Sequence, residues 1–164
     1  MTGIPTVNRS PLFLYELLAS ACIAGFAAYD LKKRRVPDRA LLLFLPFALM
    51  APLIRTRPSW SGSLLLYRSL CSLAGAAAGF LILLAAAMGS KEGVGIGGGD
   101  IKLAAVMGFI YGPARMLSVL LIASSLAACV SLAVRHQRKK EMLSLPFVPF
   151  LMVGSLIITV TAIL

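Results

Sequence analysis

The sequence is short of charge, and of acid above all. Of its 164 residues 13% are charged, and six are Asp or Glu. A soluble domain carries roughly a quarter charged residues, so almost no chain remains for a water-facing domain. Cysteine is scarce as well. Cys22, Cys71 and Cys129 stand singly inside apolar segments and form no CxxC pair. That excludes a cysteine zinc site and leaves three packing residues. No GK[ST] follows the glycine-rich stretch near residue 95, which excludes a P-loop.

What the chain has in abundance is hydrocarbon. It is 59% hydrophobic, and its mean hydropathy is +0.91. Long apolar runs alternate with short basic clusters, the pattern of a polytopic membrane protein. The net charge of +10 does not indicate nucleic acid. The basic residues sit between the apolar runs, where the positive-inside bias and anionic lipid account for them. Lipid is therefore an expected partner and nucleic acid is not.

The first run spans residues 11–29. Arg9 precedes it and four basic residues, 32–35, follow it. This bias marks a retained anchor with its N-terminus outside rather than a signal peptide. The second run, 40–54, follows Pro37, with Asp38 placed to cap it. Pro46 and Pro52 predict a bent helix packed against neighbours. The third, 63–88, contains Gly75-Ala-Ala-Ala-Gly79, which reads either as a close-packing small-xxx-small pattern or as ordinary small residues.

A glycine loop, 89–99, leads into an apolar stretch at 101–111. Gly112-Pro113 follows, then a run at 114–134, a basic block at 135–140, and a last run at 143–164. The stretch 101–111 reaches only about 16 Å as a helix, against a hydrocarbon core of about 30 Å. Taken as a span of its own, it puts the 135–140 block on the same side as residues 32–35. The expected fold is therefore all-α: a single membrane-embedded domain, 1–164, with six transmembrane helices and both termini outside. The short fourth span has to lie against protein or reach water at one end. In this topology the inside holds eleven of the sixteen basic residues.

Of the acids, Asp38 reads as a cap, Glu141 as solvated, and Glu92 as a neighbour of Lys91 in the loop. Glu16 lies about 21 Å along the helix from Asp30, near the opposite face. Asp30 ends the first span and Asp100 begins the fourth, so both fall at the inside face. Each has a bland reading: Asp30 pairing with Lys33 or Arg34, and Asp100 capping the following helix. Together they can do more. Acids near hydrocarbon tend to be functional. Two carboxylates in one site titrate as a pair, so that one acts as base on water while the other donates a proton. Gly93-Val-Gly95-Ile-Gly97-Gly98 matches GxGxxG literally, but a membrane helix precedes it where a dinucleotide site needs a strand. Glycines here read either as a flexible turn or as room for a substrate strand to approach Asp100.

Gly97-Gly98-Gly99-Asp100 is a GxGD motif, continued as Ile101-Lys102-Leu103. With residues 30–38 and Leu145-Pro-Phe-Val-Pro-Phe150 it resembles the type IV prepilin peptidases, in their order and spacing. The resemblance implies an intramembrane aspartic protease of the plasma (inner) membrane with Asp30 and Asp100 as its catalytic pair. It further implies no metal or cofactor. The partner would be a prepilin or pseudopilin with a basic leader ending in glycine before an apolar helix, cut at the cytoplasmic face. Gly97, Gly99 and Lys102 are expected to shape the loop or meet substrate. Asp38 stands where the family usually has asparagine. The family's cytoplasmic insertion with paired CxxC motifs is missing, so cleavage without N-methylation is expected. The competing readings are a small transporter subunit that relays protons, another GxGD protease, and an inactive assembly factor of a secretion system.

A single cysteine introduced at position 136 should react with a membrane-impermeant thiol reagent only from the side that reaches residues 32–35. Labelling from the other side would overturn the six-span topology.

Overall fold

A computed structural model describes residues 10–33, 36–56, 62–89, 97–137 and 146–161. Their regular structure is helical: α1 (Ser10–Lys33), α2 (Asp38–Leu49), α3 (Ala51–Thr56), α4 (Gly62–Gly89), α5 (Gly98–Tyr111), α6 (Pro113–Gln137) and α7 (Val148–Thr161). The segments α1, α2 with α3, α4 and α6 are long and apolar enough to cross a membrane. α5 and α7 have 14 residues each, about 21 Å of helix. The chain is an all-α polytopic membrane protein, and its described residues form six helical rods. The loop at 90–96, with Lys91, Glu92 and most of the GxGxxG match, lies outside the described residues. So do Arg34, Arg35, Glu141 and Leu145.

The second rod is interrupted before its second proline, while Pro46 lies inside α2 without breaking it. Pro52 has no N–H to give Ala48, and the helix breaks at Met50 into α2 and α3. The break frees carbonyl groups, and Tyr15 of α1 supplies a donor. Its hydroxyl bonds the Phe47 carbonyl at 2.9 Å and reaches the Ala48 carbonyl at 3.4 Å. Inside a bilayer such repair by a neighbouring helix is what makes a broken helix tolerable. The start of α2 differs from expectation. Pro37 takes the N-cap position with no side-chain cap, and Asp38 lies in the first turn.

The glycine pattern in α4 is a packing device. A Cβ at Gly75 would run into the backbone of Gly108 and Gly112, and one at Gly79 into the Ala104 carbonyl. Gly108 faces the Gly75 backbone in return. α5 can therefore lie directly on α4, with α2 and α6 on its other sides. Nine of its 14 residues are buried, so the short fourth span does lie against protein. Its helix begins at Gly98, earlier than the expected Ile101. It ends at Gly112, whose φ of 77° is left-handed and suits glycine. Pro113 then opens α6, where its missing N–H costs nothing.

Glu16 marks the opposite end of the bundle from Asp30, as its distance along α1 requires. It is not idle there. Its carboxylate is buried and takes Arg115 of α6 at 2.5 Å, with Arg55 of α3 at 3.8 Å. The same end holds the bond between Ser20 and Tyr111, which ties α1 to the C-terminus of α5.

Replacing Gly108 by leucine should separate α4 from α5, because the obstacle is backbone that cannot rotate away. Overpacking of this kind costs about 1–3 kcal/mol or more. Thermal unfolding in detergent should show that loss for Gly108→Leu. Gly89→Ala, where a Cβ meets nothing within 4 Å, should leave the transition in place.

Candidate active site

Asp30 continues the buried stripe of α1. Tyr15, Ala19, Ile23, Phe26 and Ala27 face the bundle at helical spacing, and Asp30 falls on the same face one turn after Phe26. It is 4% exposed. The backbone N–H of Val148, the first residue of α7, donates to its carboxylate. A helix N-terminus is a favourable place for an anion. Oδ2 of Asp30 is buried and has no hydrogen-bond partner among the described residues, which leaves it to accept from water or substrate. Lys33 leans on the Tyr29 ring instead. Among the described residues no ion pair includes Asp30, which removes the expected alternative of a pair with Lys33.

Asp100 is the third residue of α5 and 9% exposed. Gly97 is the N-cap residue, so Asp100 is not the cap that one reading expected. Its carboxylate instead reaches back to the Gly97 backbone, as the acidic residue of a capping box does. Gly97 has an ordinary extended conformation, so its backbone does not require glycine. A Cβ there would stand 3.7 Å from Asp100 Oδ2, and its absence leaves one approach to the carboxylate open. Gly99 has a different reason. A Cβ there would fall 2.8 Å from the Val36 Cβ, so Gly99 lets α5 rest against the segment that follows α1.

That contact brings the aspartates together. Asp30 is six residues before Val36 and Asp100 is next to Gly99, and the two carboxylates interact electrostatically. Lys102 does not join them. It reaches Asp38 at 2.8 Å in an exposed ion pair. Such a pair adds little stability, but it links α5 to the start of α2 beside the Gly99–Val36 contact. The site therefore combines two buried acids, one free acceptor oxygen and an open glycine flank. This set can activate water and protonate a leaving group.

Three contributors were not recognised in the sequence. Val148 and Val36 act through backbone and shape, which leave no signature in a list of reactive side chains. Val148 does lie inside the proline-phenylalanine stretch at 145–150. Asp38 was read as a local cap, and its partner Lys102 is 64 residues away.

Comparison with known proteins gives two matches. The family model described as "Type IV leader peptidase family" matches residues 17–132, which include both aspartates. The chain is 38% identical over 133 residues to the prepilin leader peptidase/N-methyltransferase of Bacillus subtilis (strain 168). The match covers 80% of this chain and 49% of that protein, so the chain spans about half the length of this relative. No solved structure matches.

The three glycines before Asp100 should respond differently to alanine. Gly99→Ala should lower stability by about 1–3 kcal/mol, because Val36 has to move. Gly98→Ala meets nothing within 4 Å and should leave stability unchanged or raise it by up to about 1 kcal/mol. Gly97→Ala should unfold close to wild type. Equal losses at all three positions, measured by thermal unfolding in detergent, would show that spacing around Val36 is not what selects Gly99.

Proposed function

The chain belongs to the type IV leader peptidase family, and from that premise we propose that it is a membrane aspartic endopeptidase. Its substrate is a prepilin or pseudopilin, cut after the glycine that ends a basic leader. The observation that carries this reading is the pairing of Asp30 and Asp100, buried at one end of the bundle.

In the proposed reaction one aspartate, as carboxylate, takes a proton from water. The water oxygen bonds to the carbonyl carbon of the leader glycine. The other aspartate, protonated, first polarises the carbonyl oxygen. It then gives its proton to the leaving amine as the C–N bond breaks. The Val148 N–H orients Asp30, and the bare flank of Gly97 gives the substrate strand access to Asp100. Lys102 and Asp38 tie α5 to the start of α2 rather than touching the reacting atoms. The whole chain acts as one membrane-embedded domain. The bias of basic residues toward the end that holds the aspartates supports a cytoplasmic active site with both termini outside.

Asp30→Asn and Asp100→Asn should each reduce cleavage of a co-expressed prepilin by at least about 10²–10⁴-fold, while each variant still inserts in the membrane. A mobility shift on a gel reads the cleavage. Normal processing by either variant removes the pair from the mechanism, and no processing by the wild-type chain removes the proposed activity.

A further inference from the structure

α1 and α2 follow each other in sequence, yet their backbones stay apart. Aromatic side chains bridge the gap. Tyr15 stacks on Phe47 at 4.7 Å, Phe47 on Phe44 at 5.6 Å, and Phe44 meets Phe26 edge-on at 5.7 Å. Outside these rings lies an apolar groove of about 440 Å³, with Cys22, Gly25 and Tyr29 on one wall and Pro37, Ala40 and Leu43 on the other. α7 lies against α1, and α4 against α5.

One end of the groove lies beside the site. Phe26 lines it and lies one turn below Asp30 on the same face of α1. Pro37 lines it and follows Val36, which carries Gly99 and so Asp100. From this end the groove follows α1 for about two turns, roughly 10 Å, to Cys22. Gly25 sits in its wall, in the middle of α1. Glycine there disfavours the helix relative to alanine. No close neighbour within the chain accounts for it, since a Cβ would meet nothing within 4 Å. What glycine preserves is the depth of the groove, and a small residue lets an incoming helix approach closely.

We infer that this groove seats the apolar segment of the substrate just beyond the cleaved bond. The inference rests on the proposed peptidase reading. A peptide held at Asp30 and Asp100 with its leader in water has to continue into the bilayer, and the α1–α2 groove begins at that point. Specificity for an apolar segment then comes from side chains that fill the groove against Phe26 and Phe44. The aspartates supply the chemistry.

Cys22 lines the groove and is exposed, which provides a native probe. In a Cys71→Ser/Cys129→Ser background, single cysteines are scanned through the apolar segment of a co-expressed prepilin, and disulfides are formed by mild oxidation. Cross-links to Cys22 should recur every three to four residues, as one helix face would produce. Gly25→Leu should weaken them and raise KM about tenfold, with kcat and thermal stability kept. A parallel Cys22→Ser/Cys71→Ser background retains Cys129 on α6 as the control. No cross-link to Cys22, or cross-linking no stronger than to Cys129, would overturn the inference and leave the groove to lipid chains. The two readings fail separately. Cleavage without cross-linking removes the groove and keeps the peptidase. Cross-linking without cleavage by the wild-type chain keeps the groove and removes the peptidase.

Discussion

The fold depends on one close contact, the backbone of Gly75 against that of Gly108. Between membrane helices there is no hydrophobic gain from association, because lipid tails are as apolar as leucine. Packing and polar contacts have to hold the bundle together. Two bare helix surfaces can approach until their backbones touch, and here they do so at Gly75, Gly79 and Gly108. Everything about α5 follows from this. A helix of 14 residues cannot match the hydrocarbon thickness, and it becomes stable by lying inside the bundle.

The site is built on the same terms. Asp30 and Asp100 are 70 positions apart in sequence, and no direct hydrogen bond between their side chains is needed to place them. Gly99 rests on Val36, and Lys102 reaches Asp38. Asp30 is oriented from behind by the start of α7. Three separate parts of the chain thus converge on two carboxylates. The opposite end is held by a different device, a single buried glutamate with two arginines around it. Breaking a buried pair strands a charge in a poor solvent, so this cluster secures α1, α3 and α6 where the aspartates do not.

Much of this was legible before any coordinates. Apolar run length located the four segments long and apolar enough to cross a membrane, while α5 and α7 are shorter than the six-span expectation needs. The prolines at 46 and 52 announced a bent rod, and the Gly75–Gly79 spacing announced a close contact. What stayed hidden depends on partners distant in sequence. Asp38 looked like a cap because local pattern rewards that reading, yet Pro37 took the cap position and Asp38 found Lys102. Glu16 looked dispensable because its arginines come from two later helices. Val36 and Val148 contribute shape and a backbone N–H, which any residue type can offer.

The burial of α5 also bears on how the protein meets its solvent. A bilayer thicker or thinner than a helix forces the helix to tilt, or forces the lipid to deform around it. That demand falls on helices with a lipid-facing side, such as α1, α4 and α6. α5 is packed among α2, α4 and α6 and is exempt from it. The carboxylate at its head is therefore referenced to Val36 and to the helices around it rather than to the membrane surface. A change in membrane thickness reaches the two acids through α1, which carries Asp30, and not through α5.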